Sequence, residues 1–311
     1  MRIGTSLNSL YLEDDVRAGA RMMLERAAAA ADAELDGLYV GDHHVTGAPY
    51  FQNSPILGRI LADWPRGRVG ALYLLPLWHP VLVAEQVGTL AALAPEGFVL
   101  QCAVGGGPGQ FAGMGVDMRR RARDFEASLD VVRRLLAGER VTTEEPYPIQ
   151  DAATGPTPPE PVEVWIGADA EKAIGRAARL GDAWYAGPNL TFAEAESKLA
   201  HHRDRCAAEG ARPSCVPIRR DVYVADSPDD AARIRRPILE HGSYRGFDPL
   251  GAGDPERPSE VAGRARRASP GSATTRSSSA TMSGRRPGGR RGVHPSPGRG
   301  PPRPRRARVA D

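Results

Sequence analysis

The chain has 311 residues, 41% of them hydrophobic and 25% charged, enough to bury a sizeable core in one large domain or two smaller ones. Its net charge of +3 joins two unlike regions: residues 257–311 hold 14 arginines against Glu260 and Asp311, a surplus of 12, so residues 1–256 are net −9. An acidic body argues against nucleic acid as its partner, and the longest apolar stretch is broken by His79, Pro80 and Glu85, which argues against a membrane span.

In chain order, RIGTS (2–6) reads as a short strand and residues 13–35 as an Ala-rich helix carrying Met22, Met23 and Leu35. GLYVG (37–41) is a second, buried strand. A helix over 53–64 follows, with Pro55 near its first turn, and then a third strand, RVGALYLL (68–75). Pro80 opens a helix to Ala94, and FVLQCAV (98–104) is the fourth strand. Residues 118–138 form an amphipathic helix, with Phe125, Leu129, Val132, Leu135 and Leu136 on one face and Gly138 at its end. Residues 139–161, rich in Pro, Thr and Glu, make an excursion without helical period. The alternation resumes with strands over 162–167, 182–187 and 215–225, and helices over 170–181, 191–210 and 227–242, the last with Ser227 as N-cap.

Seven strand–helix units imply a parallel sheet covered by helices, either a doubly wound sheet or a (β/α)8 barrel. The first strand is not followed by G-x-G-x-x-G, so the barrel is favoured. From Arg257 onward large apolar residues nearly vanish, and the expectation is a disordered basic tail over 257–311. Lysine occurs only at Lys172 and Lys198, which suggests a GC-rich gene. Out-of-frame reading of such a gene yields Arg, Pro, Gly, Ser and Ala. The expectation is therefore a frameshift near Arg257 that removed the eighth strand and helix, leaving open sheet edges and little or no cofactor binding.

Barrel chemistry sits where strands end. Five strand ends carry unusual residues: Asp42, His43 and His44 after the second, LYLLPLWHP after the third, GGGPG after the fourth, IGADA after the fifth and WYAGPN after the sixth. Adjacent residues on a strand point to opposite faces, so His43 and His44 do not readily ligate one metal. Three scattered cysteines, Cys102, Cys206 and Cys215, have no ligand spacing either; the expectation is a reduced cytoplasm, with no signal peptide read in MRIGTSLNSLY.

GLYVGDHH, LPLWHPVLVAEQVGTLAAL, FVLQCAVGGG and PVEVWIGADAEKAIGRAARLGDAWYAGP, in this order and spacing, resemble the bacterial luciferase-like flavin-dependent oxidoreductases over roughly residues 1–256. The resemblance implies a (β/α)8 barrel that binds reduced FMN, or alternatively the deazaflavin coenzyme F-420, at its C-terminal mouth. It implies monooxygenation of a small organic substrate with molecular oxygen, or hydride transfer in deazaflavin members. A separate flavin reductase and a homodimer are implied as well.

On the same resemblance Asp42 and His43 line the pocket, His43 relaying a proton near neutral pH. That leaves one pocket histidine and one turned away; in the alternative, Asp42 merely caps a turn on whose loop His43 packs. Leu72–Tyr73 occupies the place of a strained, often cis, peptide behind the flavin ring; an ordinary core strand is the other reading. Gly105, Gly106 and Gly107 let a flat ring lie against backbone, or form a merely flexible loop. Pro108 stands where the family's sugar-phosphate dehydrogenases carry an acid, which speaks against sugar oxidation. Gly167, Ala168 and Ala170 open a helix suited to the flavin phosphate, while Asp169, as an N-cap, would compete for the same amides. Trp184 is core or pocket wall.

Overall fold

The computed structural model describes residues 1–11, 15–47, 49–222 and 225–233. In chain order these are β1 (Gly4–Leu7), α1 (Val16–Asp32), β2 (Gly37–Val40), α2 (Asn53–Leu61), β3 (Arg68–Leu74), α3 (Pro80–Leu93) and β4 (Phe98–Ala103). There follow a short α4 (Pro108–Gly113), α5 (Arg121–Leu136), β5 (Val141–Thr143), β6 (Ile149–Ala152), β7 (Glu163–Gly167), α6 (Glu171–Leu180), β8 (Ala183–Tyr185) and α7 (Phe192–Glu209). Local chemistry sets several boundaries. The Asp15 carboxylate accepts from the Arg17 amide to open α1, Pro80 opens α3 where its missing N–H is harmless, and Thr191 with Glu194 forms a capping box on α7.

Six strands form one parallel sheet in the order β1-β2-β3-β4-β7-β8. Apart from the hairpin β5–β6 that intervenes before β7, the strands of this sheet lie in chain order, whereas a doubly wound sheet would reverse direction at a switch point. The sheet is thus the curved wall of a TIM-type barrel. A parallel bridge between Ala186 and Ile218, with Ala186 N–H donating to Pro217 and Arg219 N–H to Ala186, puts the seventh strand position beside β8. Among the described residues that position is one bridge, shorter than the strand expected over 215–225. A helix begins at 228, and the Ser227 hydroxyl accepts from the Asp230 amide as the N-cap expectation required. The eighth unit and the tail over 257–311 lie outside the described residues.

The core has two shells. Between sheet and helices lie Met23, Leu38, Leu57, Val69, Tyr73, Val83, Leu100, Phe125 and Ile174. Full burial of each such side chain is worth about 1.5–3 kcal/mol. Inside the barrel, Val99, Trp165 and Ala183 pack with Tyr39 and Tyr185, and the Trp165 ring lies 5.3 Å from Tyr39 and 5.9 Å from Tyr185. Tyr39 needs room: a Cβ on Gly70 would fall 2.9 Å from its ring and 2.5 Å from the Val99 carbonyl. A glycine in the middle of β3 is therefore the cost of an aromatic in the lumen. Below this layer Arg68 pairs with Glu163, which also accepts from the Ser214 hydroxyl.

The excursion after α5 is an antiparallel hairpin, β5–β6, rather than irregular chain. Its Val141 and Ile149 pack with Ala84 of α3 and with Val131 and Leu135 of α5. Among the described residues no helix is long and apolar enough to cross a membrane.

Candidate active site

Register brings the strand ends to one level. Leu74 aligns with Ala103, Ala103 with Gly167 and Gly167 with Tyr185, so the loops that follow β3, β4, β7 and β8 all leave at the same mouth. β2 joins them but stops early, with Val40 opposite Ala71. Beyond that point Leu72 and Leu74 lose their strand partner, and side chains take its place. Asn53 at the start of α2 donates its amide to the Leu72 carbonyl at 2.7 Å, and the Asp42 carboxylate accepts from the Leu74 amide at 2.8 Å. These two bonds continue the ladder where the strand has left it.

Asp42 is 5% exposed. Its Oδ2 also accepts from the Trp78 indole at 2.8 Å, and Oδ1 stands 3.2 Å from Nε2 of His44. That contact is close enough for charge pairing, but its direction is poor, and neither atom has a hydrogen bond among the described residues. The His44 ring stands edge-on to Trp78, centroids 5.2 Å apart, and its amide donates to Oε1 of Gln110 at 2.7 Å. His43 points the other way: it is exposed, and its ring lies 5.8 Å from that of Tyr50.

The two histidines therefore diverge as strand alternation requires, and the one gathered beside Asp42 is His44. Asp42 itself does not face open space. It fastens the β3 end and Trp78 and acts on the site through them. Among the described residues no group of three or more His, Cys, Asp or Glu is placed to hold a metal.

Of the two readings of Leu72–Tyr73, the structure has the ordinary core strand and not the strained bond. β3 runs regularly to Leu74, with Leu72 opposite Gln101 and Tyr73 opposite Cys102. The cis bonds among the described residues are Glu145–Pro146 and Gly155–Pro156, not Leu72–Tyr73. Tyr73 also turns its ring outward. It is fully buried, and its hydroxyl lies 2.8 Å from Ser54 of α2, which in turn reaches Gln86 of α3. Any contact of Tyr73 with a ligand would be through backbone. Leu72 is half-buried against Leu74, Leu77 and Phe111, an apolar ledge at the mouth.

The rim after β4 is bare by comparison. Gly105 and Gly107 have φ of 72° and 89°, values that L side chains rarely adopt, and a Cβ on Gly105 would also meet the Phe111 ring at 3.3 Å. At Gly106 and Gly107 an added Cβ would have nothing within 4 Å. Gln110 holds this loop from below, donating to the Gly106 carbonyl at 3.2 Å while accepting from His44.

Past β7, the N-cap of α6 is Ala170, and no side chain caps that helix. Asp169 is not the cap that the sequence suggested: it is drawn away to Lys198 of α7, which also donates to the Asp169 carbonyl. Trp184 proves to be core, 1% exposed, and its indole donates to the Ala168 carbonyl at 2.8 Å, fixing this rim from behind. A Cβ added to Gly167 would lie in ordinary contact with Ala103, 3.6 Å away.

Sequence reasoning gave no site role to His44, Tyr50, Asn53, Trp78 or Gln110. Trp78 and His44 lay inside quoted motifs, but nothing local showed that they share one carboxylate.

The profile of the family described as luciferase-like monooxygenase matches residues 1–287. The chain belongs to that family. The match continues past Arg257, where the composition changes. An F420-dependent glucose-6-phosphate dehydrogenase of Beutenbergia cavernae is 31% identical over 172 residues, covering 52% of this chain and 51% of that protein. The chain spans about half the length of the curated relatives it matches.

Among solved structures, monooxygenase RslO1 from Streptomyces bottropensis superposes with a TM-score of 0.64 at 19% identity, over 86% of this chain and 82% of that one. The oxygenating constituent of 3,6-diketocamphane monooxygenase of Pseudomonas putida, solved with FMN, gives 0.65 at 15%, over 81% of each. At such identities the likeness carries the barrel fold alone.

Proposed function

We propose that the chain is a flavin-dependent oxidoreductase, a luciferase-like monooxygenase that takes reduced FMN and molecular oxygen and acts on a small organic substrate. The observation that carries this reading is the bare glycine rim after β4, at the C-terminal mouth of a barrel of this family. Gly106 and Gly107 expose backbone where a side chain would otherwise stand, beside the apolar ledge of Leu72, Leu74, Leu77 and Phe111. That surface fits a flat ring.

Bound reduced flavin supplies the electrons that activate oxygen. The chain supplies the rest. Gly105–Gly107 hold the ring against backbone, and the ledge keeps water from it. Gly167, Ala168 and Ala170, at the uncapped start of α6, seat the phosphate end, where aligned amides favour an anion. His43, exposed at the mouth, takes or gives a proton at its imidazole. Asp42 positions the β3 end by holding Leu74 and Trp78. A separate flavin reductase, a cytoplasmic setting and a homodimer complete the proposal.

A second reading, hydride transfer with coenzyme F-420, is favoured by the Beutenbergia cavernae relative, whose name states that dependence. Pro108 at the glycine loop has no carboxylate to offer a sugar, so the substrate in that case would not be a sugar phosphate. Titrating the purified chain with reduced and oxidised FMN and with F-420 separates the two. FMN binding with oxygen uptake supports the first reading, and tight binding of F-420 alone overturns it. A chain that binds neither supports the frameshifted, inactive product.

A further inference from the structure

Tyr50 belongs to neither the sequence motifs nor the roles given above, yet it occupies the mouth. Residues 49–51 run antiparallel to residues 9–11: Leu10 bridges Tyr50, the Tyr11 amide donates to the Pro49 carbonyl at 3.2 Å, and the Phe51 amide to Ser9 at 2.9 Å. This pairing folds the loop after β2 back over its own strand. The Tyr50 hydroxyl then lies above Gly41, where an added Cβ would stand 2.8 Å from it and meet nothing else within 4 Å. By strand alternation Gly41 shares the inward face with Tyr39, so the hydroxyl overhangs the lumen.

Its electrical surroundings agree with that placement. Burial is the main influence and pushes the phenol up to about 12; a side-chain hydrogen bond with Ser9 and the charge of Arg219 pull the other way, while the charge of Asp42 adds to the rise. Arg219 bears in turn on Tyr185, an inward residue of β8 across the lumen. The phenol thus sits between charges from two sides of the barrel mouth. It stays protonated across the neutral range, a hydrogen-bond donor at all working pH values. The His43 ring beside it adds a second polar group on the same side.

We propose that the Tyr50 hydroxyl is a ligand-contacting donor of this site, which gives its hydrogen bond to a ring carbonyl of the bound flavin or deazaflavin. The assignment rests on the flavin reading above. Gly41 is its companion: a Cβ there would stand 2.8 Å from the hydroxyl and displace it.

The test uses the full chain and measures dissociation constants, by quenching of FMN fluorescence and by titration with F-420 in parallel, together with a thermal melt. Tyr50→Phe keeps the ring and removes the donor; Gly41→Ala leaves the donor and pushes it aside. Each is expected to weaken binding of the cofactor that the wild type takes by about tenfold, the worth of one hydrogen bond. The double variant should lose little more, because both remove one interaction. Wild-type affinity in Tyr50→Phe, with an unchanged melt, overturns the assignment and leaves the flavin reading standing. A wild-type chain that binds neither cofactor overturns the flavin reading and the assignment with it. If Tyr50→Phe melts early, Gly41→Ala decides: unchanged affinity there overturns the proposal, and the tenfold loss upholds it.

Discussion

Two sides of the same mouth are built on opposite principles. Where β2 and β3 part, the rim is dense with side-chain hydrogen bonds: Asp42 to Leu74 and Trp78, Asn53 to Leu72, and Gln110 to His44. Where β4 and β7 end, the rim is backbone: three glycines in a row, then an uncapped helix start held from behind by Trp184. The first side is rigid because Asp42, Asn53 and Gln110 hold the backbone and Trp78 by fixed hydrogen bonds. The second is accessible because little stands on it. A flat ligand needs both, a surface that lets it come close and a wall that presents functional groups to it.

Breaking the clamped side should have the largest effect. Asp42→Ala strands the Leu74 amide and the Trp78 indole without an acceptor. It should cost about 3 kcal/mol of stability, read from the shift of the urea midpoint. A loss under about 1 kcal/mol would show that the carboxylate is not the fastener of this rim.

The bare side should yield to backbone strain instead. Gly107→Ala forces an L residue into φ 89° with no new contact, and about 1–2 kcal/mol should be lost in the same urea titration.

A smaller effect comes through pH behind the bare rim. His202 is buried under Trp184, their rings 5.7 Å apart, and burial, helped by neighbouring His201, holds its imidazole below the ordinary 6.5. The unfolded chain therefore takes the proton first. This contribution is complete above pH 6.5 and is lost as pH falls below it toward the folded value. His202→Gln should flatten the stability profile in that window, and an unchanged slope would remove His202 from the account.

The smallest change sharpens the comparison most. Gly106→Ala introduces a methyl group into open space and should alter stability by less than about 0.5 kcal/mol. Its effect should fall on FMN affinity alone. Unaltered affinity would mean that the ring does not lie on this loop.

Much of the wall was legible in the chain. The helix over 118–138 was visible from its apolar period, and α5 with its preceding turn fills that span. Strands two, three and four were placed within about two residues by short apolar runs between turn signals. Less of the mouth could be read. The hairpin β5–β6 was missed because its two short strands alternate too briefly to show a period. The choice between His43 and His44 beside Asp42 was also hidden, since both follow the same strand and differ only in which face they leave by. Asp169 read as a cap on its chemistry, but Lys198, 29 residues away, draws it off.

The amino-acid order by itself determined the alternation of strands and helices and the run of glycines at the fourth strand end. Those features depend on neighbours a few residues apart, and a period of two or 3.6 records them directly. Only the tertiary structure decided which groups meet: Asp42 with Trp78 across 36 residues, His44 with Gln110 across 66, and the Tyr50 hydroxyl over Gly41. Such meetings follow from where β2 stops and the loop after it folds back, and packing of the whole barrel fixes that geometry.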